Sequence, residues 1–263
     1  MTLRLLHLSD IHFGCENKAA VAAAVTYAGE GRFDAVVVTG DVTQWGATSE
    51  FRSARAWMEA LPAPRVCTPG NHDTPYWGLM DRLFWPFRRY ASHIGPAGPE
   101  TYASPGLHVT SVNTSRGAQV RLNWSKGQIR ARDVEIACRR LAMTPGALRV
   151  AAFHHPLMEV TGGPMTGRVW GGRRASELLA QNGVDLILTG HVHMPFAHAL
   201  PFGDRMTYAV GASTLSTRER GVPPGFNVIE AEDDGIAVTA MAWTGSCFEA
   251  QRSWGFDRRK PSS

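Results

Sequence analysis

The chain reads as an α/β protein organised on parallel strands, and three observations predict this. Short runs rich in Val, Leu and Ile carry apolar residues on both faces, the mark of strands covered on two sides. Alanine-rich or amphipathic stretches of helical length separate the first three of these runs, which argues for right-handed crossovers between parallel strands. Several runs stop at a polar cluster, and in such sheets the loops beyond the carboxyl ends of the strands hold ligands.

The first strand is Leu3 to Ser9, ending in Asp10-Ile11-His12. If the strand continues, alternation turns Asp10 and His12 to the same side, as two ligands of one ion require. Asn17 to Ala28 is predicted as a helix, and Ala35 to Thr39 as a second strand stopped by Gly40-Asp41. A helix over Thr48 to Leu61 ends before Pro62 and Pro64, and a third strand, Arg65 to Thr68, leads into Pro69-Gly70-Asn71-His72-Asp73. Between Pro75 and Pro99, Trp77, Met80, Phe84 and Phe87 recur at three- and four-residue steps, the pattern of an amphipathic helix that buries one face. The same segment, 75–99, also stands as a cap over the polar clusters, with Trp85 facing substrate.

His108 to Asn113 reads as a strand, Ser125 to Leu141 as a helix, and Arg149 to Phe153 as a strand ending at His154-His155-Pro156. The glycine-rich stretch Thr161 to Gly172 lacks the GxxxxGK[ST] order of a phosphate-binding loop and is expected to form a flexible rim, with Arg168 an anion contact. Ala175 to Gln181 is a helix, and Asp185 to Thr189 a strand stopped by Gly190-His191-Val192-His193. Thr39-Gly40-Asp41 and Thr189-Gly190-His191 share one plan: a glycine lets the backbone approach a ligand and the next residue offers a donor atom. Beyond Met206 the strands follow one another without helices, and Asp233-Asp234-Gly235 marks a hairpin, so a second, more antiparallel sheet is expected there. A single domain over 1–248 and a C-terminal tail over 249–263 complete the outline.

The 263 residues suffice for a sizeable core, and 44% apolar against 19% charged residues is ordinary for a folded, soluble protein. The net charge of +4 mildly favours anionic ligands, but Lys and Arg are scattered and form no nucleic-acid tail. No run approaches the length of a membrane span, and no secretory signal precedes the first acid. The four cysteines form no CxxC pair, which suits a reducing cytoplasm and excludes a disulfide framework.

Asp10, His12, Asp41, Asn71, His154, His191 and His193 thus fall on one edge of one sheet. Nitrogen and oxygen donors without cysteine suit divalent Mn, Fe or Zn. Two such ions roughly 3.5 to 4 Å apart would suit phosphate ester hydrolysis.

The order DxH, GD, GNHD, HHP, GHVH resembles the calcineurin-like metallophosphoesterase superfamily, and the whole plan, including Ser216-Thr217-Arg218 and Gly225-Phe226-Asn227, is similar to bacterial enzymes related to class III cyclic-nucleotide phosphodiesterases. The resemblance implies a four-layer αββα sandwich of two mixed sheets and a pair of metal ions. One would be held by Asp10, His12, Asp41 and His193, the other by Asp41, Asn71, His154 and His191, with Asp41 bridging. It implies that His72 serves the leaving group as an imidazolium, with Asp73 orienting it, and that His155 lies behind the ligands or faces substrate. The expected activity is hydrolysis of a small or nucleotide-like phosphodiester. A phosphomonoesterase, a sugar-nucleotide pyrophosphatase, a nuclease and, last, a non-catalytic scaffold are the alternatives.

Overall fold

The structure is a computed structural model and describes residues 2–159 and 169–259. In chain order the elements begin β1 (Leu3–Leu8), α1 (Lys18–Glu30), β2 (Ala35–Val38), α2 (Thr48–Ala60) and β3 (Arg65–Cys67). Next come α3 (Leu79–Phe84), α4 (Arg88–His93), β4 (Thr101–Ser104), β5 (Leu107–Ser111), α5 (Ala131–Leu141) and β6 (Leu148–Ala152). The chain then forms α6 (Gly172–Gln181), β7 (Leu186–Thr189), β8 (Phe196–Ala199), β9 (Tyr208–Gly211), β10 (Gly225–Ala231), β11 (Gly235–Trp243) and β12 (Phe248–Asp257). Among the described residues no helix is long and apolar enough to cross a membrane.

Two mixed sheets result, ordered β12-β11-β10-β1-β2-β3 and β4-β5-β6-β7-β9-β8. β1, β2 and β3 pair in parallel, as do β5, β6, β7 and β9. Successive side chains of each central strand enter different cores. Leu5 and Val37 meet Val109, Val150 and Leu188 between the sheets. Leu6, Val36 and Val38 face outward onto Ala24 of α1 and Phe51 and Trp57 of α2. Ala151 and Ile187 face outward onto Val134 and Leu141 of α5 and Leu179 of α6. Helix, sheet, sheet, helix is therefore the layer order, the four-layer αββα sandwich the sequence implied, and it follows from strands that are apolar on both faces. Helix α1 starts where Asn17 accepts the Ala20 N–H, and Glu50 in the first turn of α2 accepts those of Trp45 and Ala47.

Four expectations need correction. The C-terminal strands do not make a sheet of their own: β10 pairs antiparallel with β1, and β11 and β12 extend that first sheet. Residues 249–257, expected in a tail, belong to the edge strand β12. The helix expected from Ser125 begins at Ala131, because the backbone before it bonds elsewhere: Gln128 to Thr114, Ile129 to Trp170. Finally, the stripe in 75–99 is not core. Trp77 is 77% and Phe84 62% exposed, Met80 is exposed as well, and two short helices replace one long one, α3 ending just before Trp85-Pro86.

Candidate metal centre

Loops at the carboxyl ends of β1, β2, β3, β6 and β7 bring together all seven expected donors. The first strand ends at Leu8, so strand alternation does not aim Asp10 and His12. Instead Asp10 (φ 54°), His12 (φ 49°), Asp41 (φ 50°), His191 (φ 67°) and His193 (φ 56°) all adopt left-handed backbone, which turns each loop sharply back toward the centre. Glycines make room for this. Gly40 has φ 87°, and a Cβ on it would stand 2.8 Å from Nδ1 of His154; a Cβ on Gly190 would collide with the side chains of Ser9 and Asp10.

One group of donors is Asp10, His12 and His193. Nε2 of His193 lies 3.1 Å from Oδ1 of Asp10 and 3.2 Å from Nε2 of His12, which is itself 3.6 Å from that oxygen. A second group is Asp41, Asn71 and His154: Nε2 of His154 is 3.2 Å from Oδ2 of Asp41 and 3.2 Å from Oδ1 of Asn71. The His191 ring stands 5.1 Å, centroid to centroid, from that of His154, and its backbone N–H donates to Asp10. Asp41 lies between the groups, its Oδ2 also 3.8 Å from His12.

Hydrogen bonds behind the donors fix which atoms face inward. Nδ1 of His154 donates to the Thr39 carbonyl at 2.7 Å, and Nδ1 of His193 to the Arg218 carbonyl at 2.8 Å, so in the neutral form that binds a cation each Nε2 presents a lone pair. Those lone pairs meet carboxylate and amide oxygens that are acceptors too. Oδ1 of Asp10 is buried and has no hydrogen-bond donor. Two atoms bound to one cation at about 2.0 to 2.2 Å and near right angles stand roughly 3 Å apart, which is the spacing found here. A buried cluster of acceptors at that spacing fits divalent cations.

The electrostatics agree. Burial opposes ionisation of Asp10 and Asp41, yet the imidazoles around them, chiefly His193 for Asp10 and His154 for Asp41, hold both carboxyls well below the usual range. Burial alone would depress His154, but Asp41 beside it raises the ring to about 9. Burial lowers His12 to about 4 and His191 to about 3. The cluster therefore draws positive charge between its carboxylates while several of its imidazoles stay neutral, as metal ligands must be.

The remaining expected residues divide. His72 sits at the centre: its backbone N–H donates to Asp41 at 2.7 Å. Its Nδ1 donates to the Gln44 carbonyl at 2.7 Å, so Nε2 is an acceptor, and it faces Nη1 of Arg218 at 3.0 Å. The ring is thus neutral in this arrangement rather than an imidazolium. Asp73 does not orient it. That carboxylate is buried and takes the Thr43 N–H, the Thr43 hydroxyl and the Gly70 N–H, pinning the loop itself. His155 does not face substrate: Nδ1 bonds Thr114 and Nε2 donates to the Ser125 carbonyl, each at 2.8 Å, so this buried ring ties one loop to another. Its proximity to His154 and His191 does not make it a ligand, because both nitrogens are engaged. Trp85 is exposed, against Phe84 and the Arg88 guanidinium. Arg168 lies outside the described residues, as does most of the glycine-rich rim.

Sequence reasoning missed the role of Arg218. Its carbonyl orients a donor histidine while its guanidinium reaches His72 and, at 3.2 Å, Oε1 of Gln44. Ser216-Thr217-Arg218 entered the resemblance without a role, and only the topology, which lays this loop across the sheet edge, gives Arg218 one. A cavity of about 390 Å³ opens beside Asn71 and His72.

The profile of the calcineurin-like phosphoesterases matches residues 3–195. A probable cyclic nucleotide phosphodiesterase from a Synechococcus strain is 23% identical over 256 residues, covering 92% of this chain and 93% of that one. The glycerophosphodiester phosphodiesterase GpdQ of Enterobacter lignolyticus is 36% identical over 80 residues, 26% of this chain and 29% of its own length. A purple acid phosphatase from yellow lupin seeds superposes with a TM-score of 0.67 at 13% identity, over 98% of this chain and 54% of that one, a likeness of fold. Fold, motif order and profile agree, and the chain belongs to the calcineurin-like phosphoesterase family.

Proposed function

We propose that the chain is a two-metal phosphodiesterase acting on a small or nucleotide-like diester. Asp10, His12, Asp41 and His193 would hold one divalent cation, and Asp41, Asn71, His154 and His191 the other, with Asp41 shared. Mn, Fe and Zn all suit these donors. The observation that carries the reading is the buried cluster of facing acceptors, with Oδ1 of Asp10 lacking any donor. Left without cations, such a cluster would be costly. Likeness over more than nine-tenths of both chains to a protein named as a cyclic nucleotide phosphodiesterase supports a diester substrate.

When bound, such cations supply Lewis acidity that polarises a phosphoryl group and acidifies a water. The chain supplies the rest. Thr39 and Arg218 carbonyls hold His154 and His193 in the tautomer that offers Nε2. The His72 N–H orients the shared carboxylate of Asp41, and Asp73 fixes the loop that presents Asn71 and His72. The Arg218 guanidinium places positive charge at Nε2 of His72, where a departing ester oxygen would need it. His72 keeps its place at the leaving group, with Arg218 as the source of charge. The free thiols of Cys15, Cys67, Cys138 and Cys247 support a reducing, cytoplasmic setting.

Hydrolysis of bis(p-nitrophenyl) phosphate and p-nitrophenyl phosphate by protein loaded with Mn, Fe or Zn tests the reading. Diester turnover that exceeds monoester turnover and disappears on chelation is expected. A metal-loaded protein inert toward both, or faster on the monoester, contradicts it.

A further inference from the structure

The cavity beside the metal centre has walls that metal chemistry does not require. Its floor is Asn71 and His72, so it is continuous with the centre. Tyr76, Leu79, Leu122 and Trp124 line the same opening. Tyr76 is 55%, Leu79 58% and Leu122 104% exposed, so three large side chains around one opening gain little from folding. Trp124 is half-buried and held in place: its indole N–H donates to the Gln119 carbonyl at 3.0 Å, and the Arg82 guanidinium lies 5.6 Å from its ring. With its one donor spent, the indole offers a ligand only apolar surface.

Three polar side-chain atoms of the lining are already engaged by protein partners. Oε1 of Gln44 accepts from Arg218, the Thr74 hydroxyl donates to the Asn71 carbonyl, and the Ser125 hydroxyl donates to Asn123. A polyhydroxy arm, such as a glycerol unit, would find few partners here and would lose its water. Among the described residues Arg82 is the charged residue of the lining, held by the Gly117 and Pro75 carbonyls at 2.8 and 3.2 Å, and no carboxylate lines the cavity with it. An anionic ester therefore enters unopposed.

Building on the phosphodiesterase reading, we infer that this cavity binds one ester arm of the substrate and that the arm is a flat aromatic ring, packed against Tyr76, Leu79, Leu122 and Trp124. A rigid, pre-positioned indole binds a flat ring at small entropic cost, and a flexible alkyl chain of similar size gains less.

Calorimetric titration of the Mn-loaded protein with methylphosphonate, hexylphosphonate and benzylphosphonate, none of which has an ester bond to break, tests this without turnover. Benzylphosphonate is expected to bind about tenfold tighter than methylphosphonate, with hexylphosphonate between them. Leu122→Ser, at a fully exposed position that cannot disturb the core, should cut that preference, and Trp124→Ala should abolish it, each with wild-type metal content. Hexylphosphonate binding as tightly as benzylphosphonate, or a benzyl preference that survives both substitutions, would overturn the inference. Diester hydrolysis measured on the same preparation separates the two claims. Ring preference without hydrolysis by any metal form leaves the subsite standing and defeats the phosphodiesterase reading, whereas hydrolysis without ring preference defeats the subsite alone.

Discussion

Among the described residues six non-glycine positions have positive φ, and five of them are Asp10, His12, Asp41, His191 and His193. Left-handed backbone costs on the order of 1 to 2 kcal/mol per residue, less for Asp and His than for β-branched residues, so its concentration at one centre is a cost tolerated for geometry. The neighbouring glycines share the burden. Gly190→Ala would drive a methyl group into Ser9 and Asp10, and the expected outcome is a folded protein, by circular dichroism, that loses most bound metal and activity. Wild-type metal content in that variant would show that the close approach is not needed. Arg218 invites a different substitution. Arg218→Ala should lower turnover most for diesters with poor leaving groups, by roughly 10²-fold, as removing a preorganised charge at a developing oxyanion does, while Arg218→Lys recovers part of it. Equal losses across a series of leaving-group pKa values would mean that the guanidinium acts only by holding the loops of Gln44 and His72.

At the scale of elements, the loop after β5 is secured through a histidine that sequence reasoning placed near substrate. The His155 ring bridges Thr114 and the Ser125 carbonyl, and that loop carries Leu122 and Trp124. His155→Ala leaves the half-buried Ser125 carbonyl without its donor, while the Thr114 hydroxyl keeps the His155 backbone N–H at 3.3 Å; at a cost of about 1 to 3 kcal/mol it should speed limited proteolysis between residues 115 and 130 while sparing metal content. Loss of a metal ion instead would make His155 a ligand. Central elements were legible in the sequence because burial on two faces leaves an apolar run: Leu3 to Leu8, Ala35 to Val38 and Leu186 to Thr189 could not hide. Edge strands other than β3 were not. Phe248–Asp257 pairs on one side only and is largely exposed, so its polar residues look like a tail, and β4 and β8 are short edges of the same kind. The donors were legible because chemistry fixes residue type, but their left-handed backbone was not, since Asp and His do not announce φ as glycine does. The exposed stripe at Trp77, Met80 and Phe84 misled for a related reason: periodicity reports which residues share a helix face, not whether anything covers it.

Across the whole molecule, a buried polar chain joins the two sheets. His7 in β1 contacts Thr39 at the end of β2 at 3.0 Å, and the Asn227 amide in β10 contacts His7 and donates to the Gly211 carbonyl of β9 in the opposite sheet. Burial, offset in part by Asp10, lowers His7 from 6.5 to about 3. Between those values the unfolded chain takes up a proton that the folded chain refuses, so folding stability falls as pH drops from about 6.5 toward 3, by up to a few kcal/mol, and this contribution vanishes above that window. Denaturant unfolding of wild type and His7→Gln between pH 4 and 8 should show a smaller acid loss in the variant; parallel curves would mean that His7 is protonated in the fold. Everything else in the account depends on two cations bound between the sheets' loops. Elemental analysis of desalted, Mn-loaded protein tests that most directly: two ions per chain in the wild type and almost none in Asp41→Ala are the predicted values, and a wild type holding fewer than two, or an Asp41→Ala variant still holding two, would contradict it.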